Sequence, residues 1–331
     1  MSHDIEITNG QADIAFVGET PWHKLGQNLQ AGADISEWAK AAGLAHKVHA
    51  SPVHYMDDDG VMQLNADRNV LYRSDNKKAL GVVGNRYNVV QPSTILDFFA
   101  KLAETNKFTL EVAGALNGGK RIWALARVGE GAPVIGSDVV LPYILLATSY
   151  DGSMATVAQP TTVRVVCNNT IQMALSEGQV NRIAIPHNKQ FDAREVRLDL
   201  GIAMDSFDRF MIDARKLAKT EVNDTFAMHF LKTLLPAGVS TKNEGGSKIV
   251  TPIPVEETKA FLDIMTLYRG EALGSDLPEA RGSAWQLLNA CTQYVDHVAG
   301  RNDDTRMTSA WFGKGNDLKA KAASMLLEVT A

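Results

Sequence analysis

Apolar positions recur mainly with period two up to about residue 190 of this chain and mainly with period 3.6 beyond it. The longest strand-like stretch runs from Val139 to Gly178. Within it, Val139–Tyr150 is an apolar run rich in β-branched and aromatic residues. Asp151-Gly152 follows, and a second such run covers Ala155–Cys167. An Asp-Gly step between two such runs signals a hairpin, because both central residues of the tightest turn need φ > 0. Asn168 or Asn169 then stands where an N-cap would, and Ile171, Ala174 and Leu175 repeat at i, i+3, i+4. The stretch reads as strand, tight turn, strand, helix.

The rest of the chain follows the same two periods. Residues 1–45 read as an arm leading into a short helix, Ile35–Leu44, with Asp34 as N-cap. Thr20–Gly26 holds Trp22, His23 and Lys24 between Pro and Gly, and reads either as a turn plugging a core or as a contact surface. Residues 46–90 read as antiparallel strands: Val48–Tyr55 and Val61–Leu64 around Asp57–Gly60, then Val70–Arg73 and Leu80–Val83 around Ser74–Asn76. Gln91-Pro92-Ser93 opens a helix over Thr94–Glu104. Phe108–Leu116 and Arg121–Val128 form a hairpin through Asn117-Gly118-Gly119. Arg182–Pro186 fits a short edge strand. Helical patterns follow over Asp192–Thr220, Phe226–Leu235, Pro254–Leu273, Ala284–Val298 and Asp317–Val329, with polar, glycine-bearing Gly238–Lys248 as a mobile loop. The expectation is an α+β fold: an antiparallel sheet core with helices packed on one face, followed by a helical C-terminal half. The expected regions are 1–45, 46–190 and 191–331.

Composition narrows this picture little. A chain of 331 residues with 45% hydrophobic content has a real core, as one large domain or two ordinary ones. A formal charge of −5 gives no bulk attraction to nucleic acid or anionic lipid, so any basic site is local. Cys167 and Cys291 sit in apolar patterns and read as buried thiols in a reducing compartment. The first ten residues lack a basic and an apolar signal region, and no apolar run approaches the ~20 residues of a membrane helix. The expected location is cytoplasmic.

Parity along 121–128 points to chemistry. Ile122, Ala124, Ala126 and Val128 make one small apolar face, while Arg121, Trp123, Leu125 and Arg127 make the other. In the run that follows, Thr162 and Arg164 share a face. Arginines on a sheet suit phosphates through their planar fork, and a ring between them suits an unpaired base. The candidate nucleic-acid set is Lys120, Arg121, Trp123, Arg127, Arg164, Asn168 and Asn169, against the plainer reading of a solvated sheet face on which Trp123 covers a helix. Other clusters carry less. His46, His49 and His54 do not share one strand face and lack a fourth zinc ligand. Gly313–Asn316 lacks the phosphate-loop pattern. Neighbouring Asp296-His297 would not face each other on a helix, and Arg301–Arg306 reads as a charged loop. No catalytic residue, metal or cofactor is assigned.

Thr20–Gly26, Arg164–Thr170 and the run from Ala284-Trp285 through Asp296-His297 to Trp311-Phe312-Gly313 occur together in this order. That combination resembles the phage/plasmid-like proteins grouped as domain of unknown function 932. The resemblance implies origin in a phage, prophage or plasmid, and brings no catalytic residues with it. The expected topology also resembles the core of recombination-type single-strand annealing proteins, which form rings on single-stranded DNA. That likeness implies single-stranded DNA as partner and a homo-oligomer, a ring among the forms. The leading expectation is therefore a single-stranded-DNA-binding protein, with annealing as its activity. A non-catalytic interaction or assembly protein of a mobile element, such as an antagonist of host defence, is the alternative. An enzyme processing nucleotides or nucleic acid is the third. The first needs a basic groove, the second an exposed apolar patch, and the third a closed pocket with converging titratable groups.

Overall fold

The computed structural model describes residues 7–8, 10–18, 25–104, 108–164, 169–172, 183–196, 205–244, 247–300 and 303–329. The fold is α+β, and the chain divides into two compact units. One comprises residues 1–130, 142–161 and 181–205; the other comprises 131–141, 162–180 and 206–331.

The first unit is built on a mostly antiparallel sheet. After a two-residue pair, β1 (Ile7–Thr8) and β2 (Gln11–Ala12), come β3 (Ile14–Val17) and β4 (Gln27–Leu29). Three strands, β5 (Val48–Met56), β6 (Met62–Arg73) and β7 (Ala79–Gly84), make a separate small sheet. The main sheet continues with β8 (Phe108–Leu116), β9 (Arg121–Val128), β11 (Asp138–Ser149) and β12 (Thr156–Arg164); β10 (Ala132–Ile135) pairs β11. Its order is β12-β11-β9-β8-β3-β4, with β13 (Asn169–Gln172) and β14 (Ile183–Ile185) each beside β12; β10, β13, residues 138–141 of β11 and 162–164 of β12 count with the second unit. Pairs β11–β9, β9–β8 and β8–β3 are antiparallel, and β3–β4 is parallel. Residues expected to form an N-terminal arm thus supply two strands of the main sheet, β3 and β4, because Ile14, Ala15 and Phe16 are apolar enough to be buried beside β8.

The β8–β9 hairpin forms as its sequence predicts. Asn117, Gly118 and Gly119 all take positive φ, at 53°, 71° and 81°. The β11–β12 connection differs from expectation. Six residues separate the strands, and only Gly152 takes positive φ, at 74°. The Asp151 carboxylate instead accepts the Ser153 amide at 2.9 Å, so a side-chain turn replaces the two-residue turn. Val61–Leu64 and Val70–Arg73 are expected as separate strands, but Met62–Leu64 and Val70–Arg73 belong to the single strand β6.

Two helices complete this unit's core. In α1 (Ile35–Ala41), Asp34 caps the amides of Ser36 and Glu37. In α2 (Pro92–Ala103), Ile95, Phe98, Phe99 and Leu102 form one buried stripe. They join Ile122, Ala124 and Ala126 from the even face of β9 in one apolar cluster. The Gln91 side chain exchanges two 2.9 Å hydrogen bonds with the backbone of Val48, tying the start of α2 to β5.

Helices dominate the second unit: α3 (Asp205–Lys219), α4 (Asp224–Leu234), α5 (Lys259–Thr266), α6 (Ala284–Gln293), α7 (Asp303–Phe312) and α8 (Lys314–Val329). Asn223, Thr258 and Ser283 cap α4, α5 and α6 through their side chains. Leu231, Ile264, Trp285, Leu288 and Leu326 meet in its core. Helical residues lie at both ends of the expected 192–220 helix, at 193–196 and in α3; residues 197–204 are outside the described set.

Other expectations are corrected here. The described residues of Gly238–Lys248 are strand rather than loop: β15 (Gly238–Glu244) and β16 (Ser247–Ile253) pair antiparallel, consistent with β-branched Val239, Thr241, Ile249, Val250 and Thr251. Asn169–Gln172 is strand, so no helix starts at Asn168-Asn169; residues 173–182 lie outside the described set. The charged Arg301–Arg306 segment enters α7 from Asp303. Asn316 lies inside α8 rather than at its cap. Among the described residues no helix is long and apolar enough to cross a membrane.

Candidate functional site

Register puts the odd residues of β9 on one face, as their parity predicts. Arg121, Trp123, Leu125 and Arg127 stand opposite Ser149, Ala147, Leu145 and Tyr143 of β11. The face is packed, however. Trp123 is 3% exposed, Leu125 5% and Leu145 2%, so the indole offers no open ring to a base. Such a concentration of apolar area is driven from water whatever charges flank it. Arg127 is already engaged: its Nε lies 3.0 Å from Glu111 Oε1, and the Tyr143 hydroxyl donates to Glu111 Oε2 at 2.5 Å. Burial, and next the hydrogen bond to Glu111, push the Tyr143 phenol far up, which keeps it a neutral donor.

The remaining candidates scatter. Arg164 ends β12 and Asn169 opens β13, but their side chains lie outside the described set, as does all of Asn168. Lys120 is exposed in the β8–β9 turn. Arg121 Nη2 donates to Ser153 Oγ at 3.1 Å.

Lys120 and Arg121 nevertheless belong to a basic end of the first unit that the sequence did not reveal. The Lys120 carbonyl accepts the Tyr150 amide at 2.7 Å, linking the β8–β9 and β11–β12 turns. A Cβ on Gly119 would sit 3.0 Å from Arg73 Nη1, so the β6–β7 turn lies against them. Lys47 and Ser74 exchange hydrogen bonds of 2.9 and 2.8 Å, and Lys77 Nζ donates to the Ser74 carbonyl at 2.7 Å. Lys47, Lys77, Lys78, Lys120 and Arg121 are thereby gathered at one end, all but Arg121 well exposed. No sequence spacing predicts this, because three separate turns supply the charges.

A buried charge cluster lies beneath. Arg73 is 1% exposed; its Nε and Nη2 reach Asp75 at 3.0 and 2.8 Å, and Nη1 reaches Asp13 at 3.5 Å. Burial pushes the Asp75 carboxyl up, but the Arg73 fork and the Asn76 amide outweigh it and hold its pKa at about 2. His46, also buried, donates from Nδ1 to the Gly43 carbonyl at 3.1 Å. Burial, then the Arg73 charge, depress its pKa to about 4. Gly43, at φ 69°, is required: a Cβ there would lie 2.2 Å from the Asp13 carboxyl carbon. Arg73, Asp13 and His46 are buried while Asp75 reaches the surface, and both carboxylates are engaged by the one guanidinium, so the cluster reads as structural.

The opposite end of the same hairpin is different. β7 pairs β6 only over Arg68–Tyr72, so Val53–Met56 and Met62–Asn65 pair only with each other and form a two-stranded arm. Tyr55, Met56, Val61, Met62 and Leu64 are each more than half exposed. Met56 stands opposite Met62, and His54 opposite Leu64, on one face. The Asp57 carboxylate closes the tip by accepting the amides of Val61 and Asp59 and the Gln63 side chain, and Asp58 and Asp59 project into solvent. The readable signal was the apolar set itself, packed around an acidic turn with no continuing sheet to bury it.

Among the described residues no catalytic arrangement accompanies these features. Asp296, the partner considered for His297, instead accepts Lys319 Nζ at 2.7 Å in a buried ion pair. A Cβ on Gly315 would lie 2.7 Å from Val295 Cγ1, so this glycine serves close helix packing. Among the described residues no three His, Cys, Asp or Glu side chains gather for a metal.

The family model described as Domain of unknown function (DUF932) matches residues 79–311. The chain belongs to this family. The DUF932 span runs from β7 into α7 and includes the buried Trp285, whose Nε1 donates to Asp138 at 2.9 Å. The arm precedes it. No curated protein and no solved structure matches the chain.

Proposed function

We propose that this protein acts by binding another macromolecule through the Val53–Asn65 arm, as a non-catalytic interaction or assembly protein. The observation that carries the reading is the set of five large apolar side chains left in solvent on one short hairpin. Fully covering each would contribute about 1.5–3 kcal/mol before the cost of association is subtracted. The reading includes the mobile-element origin that the resemblance implies, and a cytoplasmic location where such a partner would be met. Its test is a photo-crosslinking amino acid at Leu64 in the producing cell, beside a control at exposed Lys101 of α2. Protein adducts at 64 but not at 101 are expected. Their absence at 64 refutes the reading.

A second reading, single-stranded DNA binding with annealing as its outcome, draws on the basic end at Lys47, Lys77, Lys120 and Arg121. Each lost phosphate contact should reduce the salt slope of binding to a labelled oligonucleotide by roughly 0.7. Lys77→Glu/Lys120→Glu tests it by fluorescence anisotropy at two salt concentrations. Wild-type protein that leaves the oligonucleotide free at low salt ends it.

A further inference from the structure

Resting on the interaction reading above, we infer that the arm's occupant is a second copy of this chain, docked head to tail. The acidic, apolar tip of one hairpin lies on the basic end of the next.

The argument starts from the polarity of a single hairpin. β5 leaves the basic end at Lys47 and reaches the tip at Met56. Its nine residues span roughly 30 Å at ~3.3 Å each. Asp58 and Asp59 therefore stand nearly four Debye lengths from Lys47 and Lys77, since one length is about 8 Å at physiological salt. A paired ribbon does not fold back on its own base, so the acidic tip does not meet the basic end of its own molecule. Asp75 and Asp151 at that end face Arg73 and Arg121, leaving an excess of lysine charge that is complementary to the tip of a second copy.

The apolar surfaces match in the same sense. Near the base, register places His49 opposite Tyr72 and Val70 opposite both Ser51 and Val82, all on one face of the small sheet. Val82 is 54% exposed, while Val70 and Tyr72 are half-buried. This strip is the apolar counterpart for Met56, Met62 and Leu64. Tip and base are different surfaces, so the contact is heterologous and propagates into a ring or a filament.

Sedimentation velocity of the purified chain tests this, with two charge-reversed variants checked for native circular dichroism. At 50 mM salt the wild type should form species above monomer, and its association should weaken at least tenfold at 500 mM. Asp58→Lys/Asp59→Lys and Lys77→Glu/Lys120→Glu should each be monomeric alone. Mixed in equal amounts they should associate again, because each supplies a surface that fits the other. Wild type that stays monomeric overturns the inference, as do variants that still assemble alone. If monomeric wild type gives adducts at residue 64 with a different protein, the interaction reading stands and the second-copy inference fails. If it gives no adducts, both fail. A monomer that shifts an oligonucleotide through Lys77 and Lys120 assigns the basic end to nucleic acid and overturns the inference.

Discussion

Lowering the pH from 7 to 4.5 should destabilise the first unit through His46. Its imidazole is held neutral in the fold, with a pKa of about 4, against 6.5 for the ordinary side chain. Above pH 6.5 both folded and unfolded forms are neutral, and the full stability is present. Between 6.5 and 4 the unfolded chain takes up a proton that the folded chain refuses, so stability falls as pH falls. Below 4 both bind it and the loss levels off. At pH 4.5 linkage gives a loss of about 2 kcal/mol from this one group, which needs little discount for screening because His46 is only 6% exposed. Asp75 acts in a separate window. Its carboxyl is depressed to about 2, so its contribution is present above 3.8 and is lost only below that. His187 is also depressed by burial and adds a fall in the same direction as His46, so the measurement must be a difference. His46→Asn retains a donor for the Gly43 carbonyl but cannot titrate. Wild type and variant would be equilibrated in urea at pH 7, 5.5 and 4.5 and given an exchange pulse at fixed pH. Peptides from residues 44–75 would then be read by mass spectrometry. The gap between the two proteins should change by about 2 kcal/mol in the variant's favour from pH 7 to 4.5. Parallel losses would refute the assignment of His46 as a buried neutral group beside Arg73.

Three further outcomes are expected. Lys319→Met should cost the second unit about 3–5 kcal/mol in thermal or urea melts by leaving Asp296 buried without this cation, and adding Asp296→Leu should recover part of it; a single variant as stable as the wild type would contradict the buried ion pair. Trp123→Ala should cost about 3–5 kcal/mol of stability, because the ring is core, and leave any oligonucleotide binding by the still-folded fraction unchanged. The Cys291 thiol is fully buried and its pKa pushed up to about 12, so at pH 8 its peptide should be alkylated by iodoacetamide only after unfolding; labelling of native protein within minutes would contradict that burial.

Some of this molecule was legible because the responsible forces act within a few residues. Asp34 caps α1 and Pro92 opens α2, since each meets amides or φ values beside it in the chain. Asn117-Gly118-Gly119 turns β8 into β9 because those residues tolerate positive φ. The odd–even split of β9 held as geometry, since alternation is a property of any strand. It did not hold as an exposure pattern. Whether a face meets water depends on what the rest of the chain lays over it, and Trp123, Leu125 and Leu145 are buried by tertiary packing. Arg127 looked free because Glu111, on the neighbouring strand, is distant in sequence and adjacent only through β8–β9 pairing.

Sequence alone therefore determined the element types with strong local signals, the α+β class and family membership, all of which rest on short-range propensity or on residue order. It did not determine where charge and apolar area collect. The basic end draws Lys47, Lys77 and Lys120 from three turns that only the packing of the small sheet against the β8–β9 turn brings together. The arm is exposed because β7 stops short of it, leaving two strands with no third to cover them. Local preference is summed along the chain, whereas burial and electrostatic neighbourhood are summed through space, and the tertiary fold decides which residues enter the second sum.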